Sequence, residues 1–312
     1  MIKKNIWIIN QYGSLVNTGI GRHRYLSKEL ANLGYKVSLI SARWSHVSKD
    51  EELLAPELEE FEDFQFLRIP VIKYKNAHDK KRILNWFYFA FKLLGIGHKL
   101  SQKPDVIIYS SPSLIGYLSA YRLAKKYHAK LFFEVRDIWP LTPIQMGGYS
   151  PKHPFIRFLQ WIEDFAYRKS DQVISLFPYA VEHMVEHGMI RDKFIWIPNG
   201  IHPTELENAE PLNKSVDAAL PKDKFIVGYT GTFGLANNLS SLIEAAKILK
   251  EENEIVFVLV GGGKDKSNLV KMAKNLNNVI FIDPIKNIQI QTMLKEFDVC
   301  FVGAKDLPLY KF

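Results

Sequence analysis

Four short segments carry residue types capable of chemistry, each at the end of an apolar run. Thr18-Gly19-Ile20-Gly21-Arg22-His23 follows the first such run and opens a helical pattern. Glycines let a backbone approach a phosphate, and a helix N-terminus offers unpaired N–H groups and a positive dipole. Gly228-Tyr229-Thr230-Gly231-Thr232-Phe233-Gly234 and Gly261-Gly262-Gly263-Lys264 follow two successive apolar runs further on. Small hydroxylated residues and glycines at a strand's carboxyl end suit a diphosphate, and Lys264 adds a cation. Two such loops on adjacent strand ends point to a phosphate or nucleotide ligand more specifically than either alone. Glu134-Val135-Arg136-Asp137-Ile138-Trp139-Pro140 closes another apolar run. Its charges would face the crevice where open α/β sheets bind ligands, with Trp139 and Pro140 as a shaped wall. The structural alternatives are tight turns for the glycine loops and an Arg–carboxylate pair holding the loop for the last segment.

Other signatures are missing. Neither glycine loop reads GxGxxG with an acidic ribose ligand after it, which disfavours a nicotinamide-dependent oxidoreductase. There is no GxSxG, no GxxxxGK[ST] and no Asp-x-Asp triplet. His183 and His187 have metal-ligand spacing on a helix, but the HExxH glutamate is absent, and they read as a solvated helix face. Cys300, the single cysteine, lies in an apolar run and reads as a core residue.

Strands alternating with helical patterns must position these segments, which means parallel sheet and βαβ units. The runs VIIYS and QVISLF are apolar throughout, as strands covered on both faces require. The pattern predicts a first domain over residues 1–202, a polar, proline-containing linker over 203–222, and a second α/β domain over 223–312. The second domain shows four strands where a doubly wound half usually has five or six, so it is expected to be incomplete, as in a truncated product. Eight acidic residues between positions 50 and 63 read as a solvated segment.

Composition bounds the function. At 312 residues, 47% hydrophobic and 24% charged, the chain is globular with ample core for two domains. One cysteine excludes an intramolecular disulfide framework and fits a reducing compartment. The net charge of +8 is uneven: residues 1–200 hold 28 Lys+Arg against 19 Asp+Glu, and residues 201–312 hold 13 against 14. Lys73, Lys75, Lys80, Lys81 and Arg82 precede Trp86, Phe87, Tyr88, Phe89 and Phe91. The aromatic helix reads as core, and its basic flank suits an anionic membrane surface. No recognition-helix or RNP-like pattern supports nucleic acid as a partner. No run reaches the ~18 apolar residues of a membrane span.

Taken in order, TGIGRHRYLSKELANLGYKV, LFFEVRDIWP, IPNGI, GYTGTFGLANNLSSLIEAAK and FVLVGGGK resemble the retaining, family-4 glycosyltransferases of GT-B fold that assemble bacterial surface polysaccharides such as capsule and O-antigen. The resemblance runs over essentially the whole chain. It implies two Rossmann-like, doubly wound parallel-sheet domains facing each other across a cleft. A nucleotide-sugar donor, expected to be UDP-linked, would bind the C-terminal one. A lipid-linked or oligosaccharide acceptor would bind the N-terminal one, peripherally at the cytoplasmic face of the cell membrane. It places Gly19, Gly21, Thr230, Gly231, Thr232, Gly262, Gly263, Lys264, Ile282 and Lys305 at the donor. It places Arg22, His23 and Trp139 on the acceptor side, and Arg136, Asp137 and Ser111 at the reaction centre. Ser111 lies where many relatives carry a catalytic histidine. The Arg and Lys of many members after the first strand of the second domain have no counterpart between Thr230 and Asn238, so Lys264 or Lys305 would supply that charge. The family's Glu-x7-Glu motif, whose carboxylates hold the donor, normally follows the point where this chain ends, and is expected to be absent. No cofactor or metal is expected. The rival readings are a relative that binds acceptor or membrane only, and an oxidoreductase.

Overall fold

Runs such as Ile6–Ile9 and Val256–Val260 bury every side chain, and each does so inside a parallel sheet covered on both faces. The computed structural model describes residues 4–13, 21–46, 53, 55–75 and 79–312. The chain divides into two units, Met1–Gly200 with Lys311–Phe312, and Ile201–Tyr310.

The first unit runs β1 (Asn5–Asn10), α1 (Arg22–Asn32), β2 (Lys36–Ala42), β3 (Leu58–Glu60), β4 (Gln65–Ile69), α2 (Lys81–Leu93), β5 (Val106–Ser110), α3 (Ile115–Tyr127), β6 (Lys130–Val135), α4 (Leu141–Gly147), α5 (Pro154–Lys169), β7 (Gln172–Ser175), α6 (Val181–Glu186) and β8 (Phe194–Trp196). The sheet order is β3-β4-β2-β1-β5-β6-β7-β8, parallel except for β3. The chain winds outward from β1 in both directions, so β1 and β5 flank the switch point where such sheets form a ligand crevice.

Two expectations change here. Part of the acidic run is not merely solvated: Leu58–Glu60 pairs antiparallel with β4, and Glu59 meets the buried Arg68 at 2.7 Å. The long aromatic helix stops at Leu93 and resumes as a single 3-10 turn, Ile96–His98. Gly97 packs under Tyr127, where a Cβ would lie 1.8 Å from the phenol oxygen.

The second unit runs α7 (Pro203–Glu207), α8 (Lys214–Asp217), β9 (Phe225–Thr232), α9 (Leu239–Ile248), β10 (Ile255–Gly262), α10 (Lys266–Met272), β11 (Val279–Ile282), α11 (Ile290–Lys295) and β12 (Val299–Cys300). Its four parallel strands lie in the order β11-β10-β9-β12. Residues 203–222 are not a free linker. Leu220 is buried with Ile226, Val258 and Met293, and Leu212 and Val216 pack against the same cluster. Gln289 Nε2 donates to the Pro211 carbonyl at 2.7 Å, fixing this segment to the unit. Cys300 is exposed rather than core, because β12 is an edge strand paired only through β9.

Candidate functional site

In the first unit the chemistry gathers around one carboxylate at the switch point. Glu134, near the carboxyl end of β6, is about 1% exposed. His23, in the first turn of α1, brings Nε2 to 2.8 Å from Glu134 Oε2 and 3.0 Å from Ser110 Oγ at the end of β5. Arg22 Nε donates to Glu134 Oε1 at 2.9 Å. The same guanidinium donates to the Pro198 carbonyl at 2.8 Å and the Ile197 carbonyl at 3.2 Å. One arginine therefore ties the start of α1 to β6 and to the Pro198-Asn199-Gly200 turn. Burial alone would push the Glu134 carboxyl up. The facing His23 ring, bonds from His23 and Ser110, and the Arg22 charge outweigh burial, so it is held well below the usual carboxylate range.

Ser111, fully buried, accepts the Arg136 backbone N–H at 2.9 Å and so fixes the loop after β6. Burial lowers the Arg136 guanidinium, and the Glu134 charge opposes this. Its Nε is buried without a hydrogen-bond partner among the described residues. Asp137 does not pair with Arg136: it accepts Trp139 Nε1 at 2.9 Å and Thr142 Oγ1 at 2.5 Å. Burial raises its carboxyl, against the pull of those bonds. Trp139 packs edge-on against Trp86 at 5.5 Å.

In the second unit, β9 and β10 run in register to their last residues, with Gly231 opposite Gly261 and Thr232 opposite Gly262. The two loops touch. A Cβ on Gly261 would lie 1.9 Å from the Gly231 carbonyl, and one on Gly263 would lie 2.4 Å from the Phe233 carbonyl. Gly263 also has φ +152°, which side chains rarely adopt. These glycines serve the fit of loop to loop, a need the sequence does not distinguish from ligand approach. Lys264 projects exposed beyond them and makes no ion pair among the described residues, whereas Lys266 is engaged by Asp283 at 2.5 Å. The chain after β12 returns to the β9 loop, where the Lys305 backbone N–H donates to the Ala236 carbonyl at 3.2 Å.

The expected residues thus fall into two groups. Gly21, Arg22, His23, Ser111, Arg136, Asp137 and Trp139 come together in the first unit. Thr230, Gly231, Thr232, Gly262, Gly263, Lys264 and Lys305 come together in the second; Gly19 lies outside the described residues. Three expectations shift. Arg22 and His23 turn inward onto Glu134, Ser110 and the Ile197–Pro198 backbone, and His23 Nδ1 is buried without a partner among the described residues. Ile282 is a core side chain, buried among Val258, Val260 and Met293. Glu134, named with its segment in the sequence, becomes the centre of the first group, and Ser110 joins it.

A second polar cluster lies between α5 and α6. His187 Nδ1 is 2.9 Å from Asp164 Oδ1, and Gln160 Nε2 reaches Glu163, Asp164 and His187 at 2.8–3.0 Å. The two histidines are therefore not a solvated face. Glu163, Asp164 and His187 are spaced to admit a cation, but the Gln160 amide already bonds all three.

Comparison with known proteins agrees with this layout. The sequence profile for Glycosyltransferase Family 4 matches residues 18–205, and that for Glycosyl transferases group 1 matches residues 213–306. WcaI of Escherichia coli (strain K12), assigned by name to glycosyl transfer in colanic acid biosynthesis, is 26% identical over 259 residues, 78% of this chain. The chain spans 62% of that relative's length. Among solved structures, sucrose-phosphate synthase from Thermosynechococcus elongatus matches with a TM-score of 0.71 at 16% identity, over 98% of this chain and 77% of the other. Anabaena HepE, solved with UDP and glucose, matches at 0.61 and 13%, over 96% of this chain and 74% of the other. WaaG, involved in lipopolysaccharide biosynthesis, matches at 0.62 and 14%, over 96% and 75%. At these identities the structural likeness is one of fold, and that fold is the two-domain, Rossmann-like GT-B architecture.

Proposed function

The chain belongs to glycosyltransferase family 4, and we propose that it moves a sugar from a UDP-linked donor to a lipid-linked or oligosaccharide acceptor in the assembly of a surface polysaccharide, peripherally at the cytoplasmic face of the cell membrane. The observation that carries this reading is the in-register pair of glycine loops at the ends of β9 and β10, with the unpaired Lys264 beside them. That is a glycine-lined place with an exposed cation beside it, suited to a diphosphate. The UDP bound to HepE supports the choice of nucleotide, and the name of WcaI supports the choice of pathway class.

The reaction proposed is retaining. The sugar leaves and is received on the same face, and the departing diphosphate takes the proton of the acceptor hydroxyl. The protein's part is to position the reactants and to stabilise charge on the leaving phosphate. For the second task the reading relies on Lys264, exposed beside the loops after β9 and β10. Arg136, Asp137, Ser111 and Trp139 shape the acceptor side, with Arg22, His23 and Glu134 holding them. No metal is assigned a role, so chelation by EDTA should leave activity unchanged. An oxidoreductase reading has no support in the matched families.

The test is UDP release from UDP-sugars in the presence of lipid extracts, with the anomeric configuration of the product read by NMR. Release of UDP with a retained anomer is expected. An inverted product contradicts the mechanism, and dependence on a nicotinamide cofactor contradicts the function.

A further inference from the structure

We propose that the outer face of α2 and α5 is a docking surface for an anionic lipid bilayer, lying flat on the headgroups with its aromatic side chains inserted. The proposal rests on the membrane-proximal reading above and assigns the surface that would carry it.

The sequence reads the aromatic residues of α2 as core. The structure divides them. Trp86, Phe89, Ala90 and Leu93 are buried against the sheet side. Leu84, Phe87 and Phe91, spaced as one helical stripe, are 59%, 45% and 70% exposed. The exposed stripe continues onto α5. Phe87 stacks on Phe158 with centroids 6.2 Å apart, and Phe158 stacks on Trp161 at 6.1 Å. Trp161 is itself 50% exposed. Two helices therefore present one aromatic ridge that the described residues leave uncovered, the kind of patch that marks an interaction surface.

Charge around the ridge selects its occupant. Residues 73–92 hold six Lys+Arg and one acid, Asp79. Lys73, Lys75, Lys80, Lys81 and Lys92 are exposed, as are Lys152 and Arg157 at the start of α5. A hollow of about 290 Å³ adjoins Trp161, lined by Ile144, Pro151 and Ile156 together with Arg157, Gln160 and Asp164. Aromatic and aliphatic side chains ringed by lysines match the acyl–headgroup boundary of a phosphate-rich leaflet. A second copy is a poor occupant, because a two-fold contact would set the same basic rims against each other. No helix among the described residues is long and apolar enough to cross a membrane, so contact would be along the surface.

The experiment sediments the full chain with vesicles of phosphatidylcholine alone or mixed with phosphatidylglycerol. It compares wild type, Phe87→Ser/Phe91→Ser, Trp161→Ala and Lys80→Glu/Lys81→Glu. These positions are exposed, and UDP affinity and melting temperature serve as controls for folding. The wild type should bind the anionic vesicles, bind neutral ones at least tenfold more weakly, and release at about 0.5 M salt. Each double variant should lose binding at least tenfold, with UDP affinity unchanged. Anionic binding that survives all three variants overturns the assignment of this face. Wild type that binds UDP but no vesicle overturns membrane docking while leaving the donor reading intact. A concentration-dependent dimer in sedimentation equilibrium that the same variants abolish assigns the ridge to self-association, and equally overturns the proposal.

Discussion

Glu134 is the residue on which the first unit's site turns, because Arg22 and His23 converge on it at 2.9 and 2.8 Å, and Ser110 meets the same His23 nitrogen at 3.0 Å. Removing one partner of a buried pair leaves the others uncompensated. Glu134→Ala is therefore expected to destabilise the chain by about 3–5 kcal/mol in chemical denaturation. Its depressed carboxyl sets the sign of a pH effect. The stabilisation is fully present above the ordinary value of 4.5 and is lost as pH falls through the depressed folded value. In wild type, unfolding free energy should decline as pH falls below about 4.5, and Glu134→Gln should flatten that decline. An equal slope in both proteins would remove Glu134 from the account. Asp137 behaves differently, since it serves Trp139 and Thr142. Asp137→Ala should lower stability by about 1–3 kcal/mol through unpaired donors, and Asp137→Asn by less. If activity falls equally in both variants while Asp137→Asn keeps wild-type stability, Asp137 acts in the reaction and not through its loop. At Gly263, where φ is +152° and a Cβ meets the Phe233 carbonyl, alanine should disrupt the second unit, read as a lowered melting temperature and lost UDP binding.

Among elements, the strand and helix alternation was legible wherever apolar runs were long, because strands buried on both faces leave few polar interruptions. β1, β2, β4 to β7 and β9 to β11 all lie on such runs. Elements built from pairwise contacts were not legible. β3 is a stretch of glutamates that becomes a strand because Arg68 and Lys99 meet Glu59 and Glu57. The segment 203–222 has linker composition, yet Leu212, Val216 and Leu220 recur every four residues and dock it. The expected consequence is specific: Leu220→Ala should destabilise the second unit by about 2–5 kcal/mol, as a core truncation does. A linker residue would tolerate the change, so an unaltered unfolding curve would restore the linker reading. Site legibility follows the same division. Motif glycines and charges marked the segments that gather into the two groups, but only coordinates show whether a side chain bonds within the protein. Arg22 and His23 turned out to do so.

At the scale of the molecule, the excess positive charge resides in residues 1–200, and residues 73–92, which include most of α2, hold six Lys+Arg against one acid. The second unit is near neutral, so its attraction for an anionic nucleotide must be local. Local attraction makes Lys264 decisive: it is exposed and outside the core, so its loss should weaken donor binding without unfolding anything. The most direct measurement is calorimetric titration of UDP and of NAD into wild type and Lys264→Ala, with melting temperatures taken in parallel. The account predicts that UDP binds and NAD does not, and that Lys264→Ala weakens UDP about tenfold, on the order of 1.4 kcal/mol, at unchanged melting temperature. A folded chain that fails to bind UDP, or that binds NAD in its place, would contradict it.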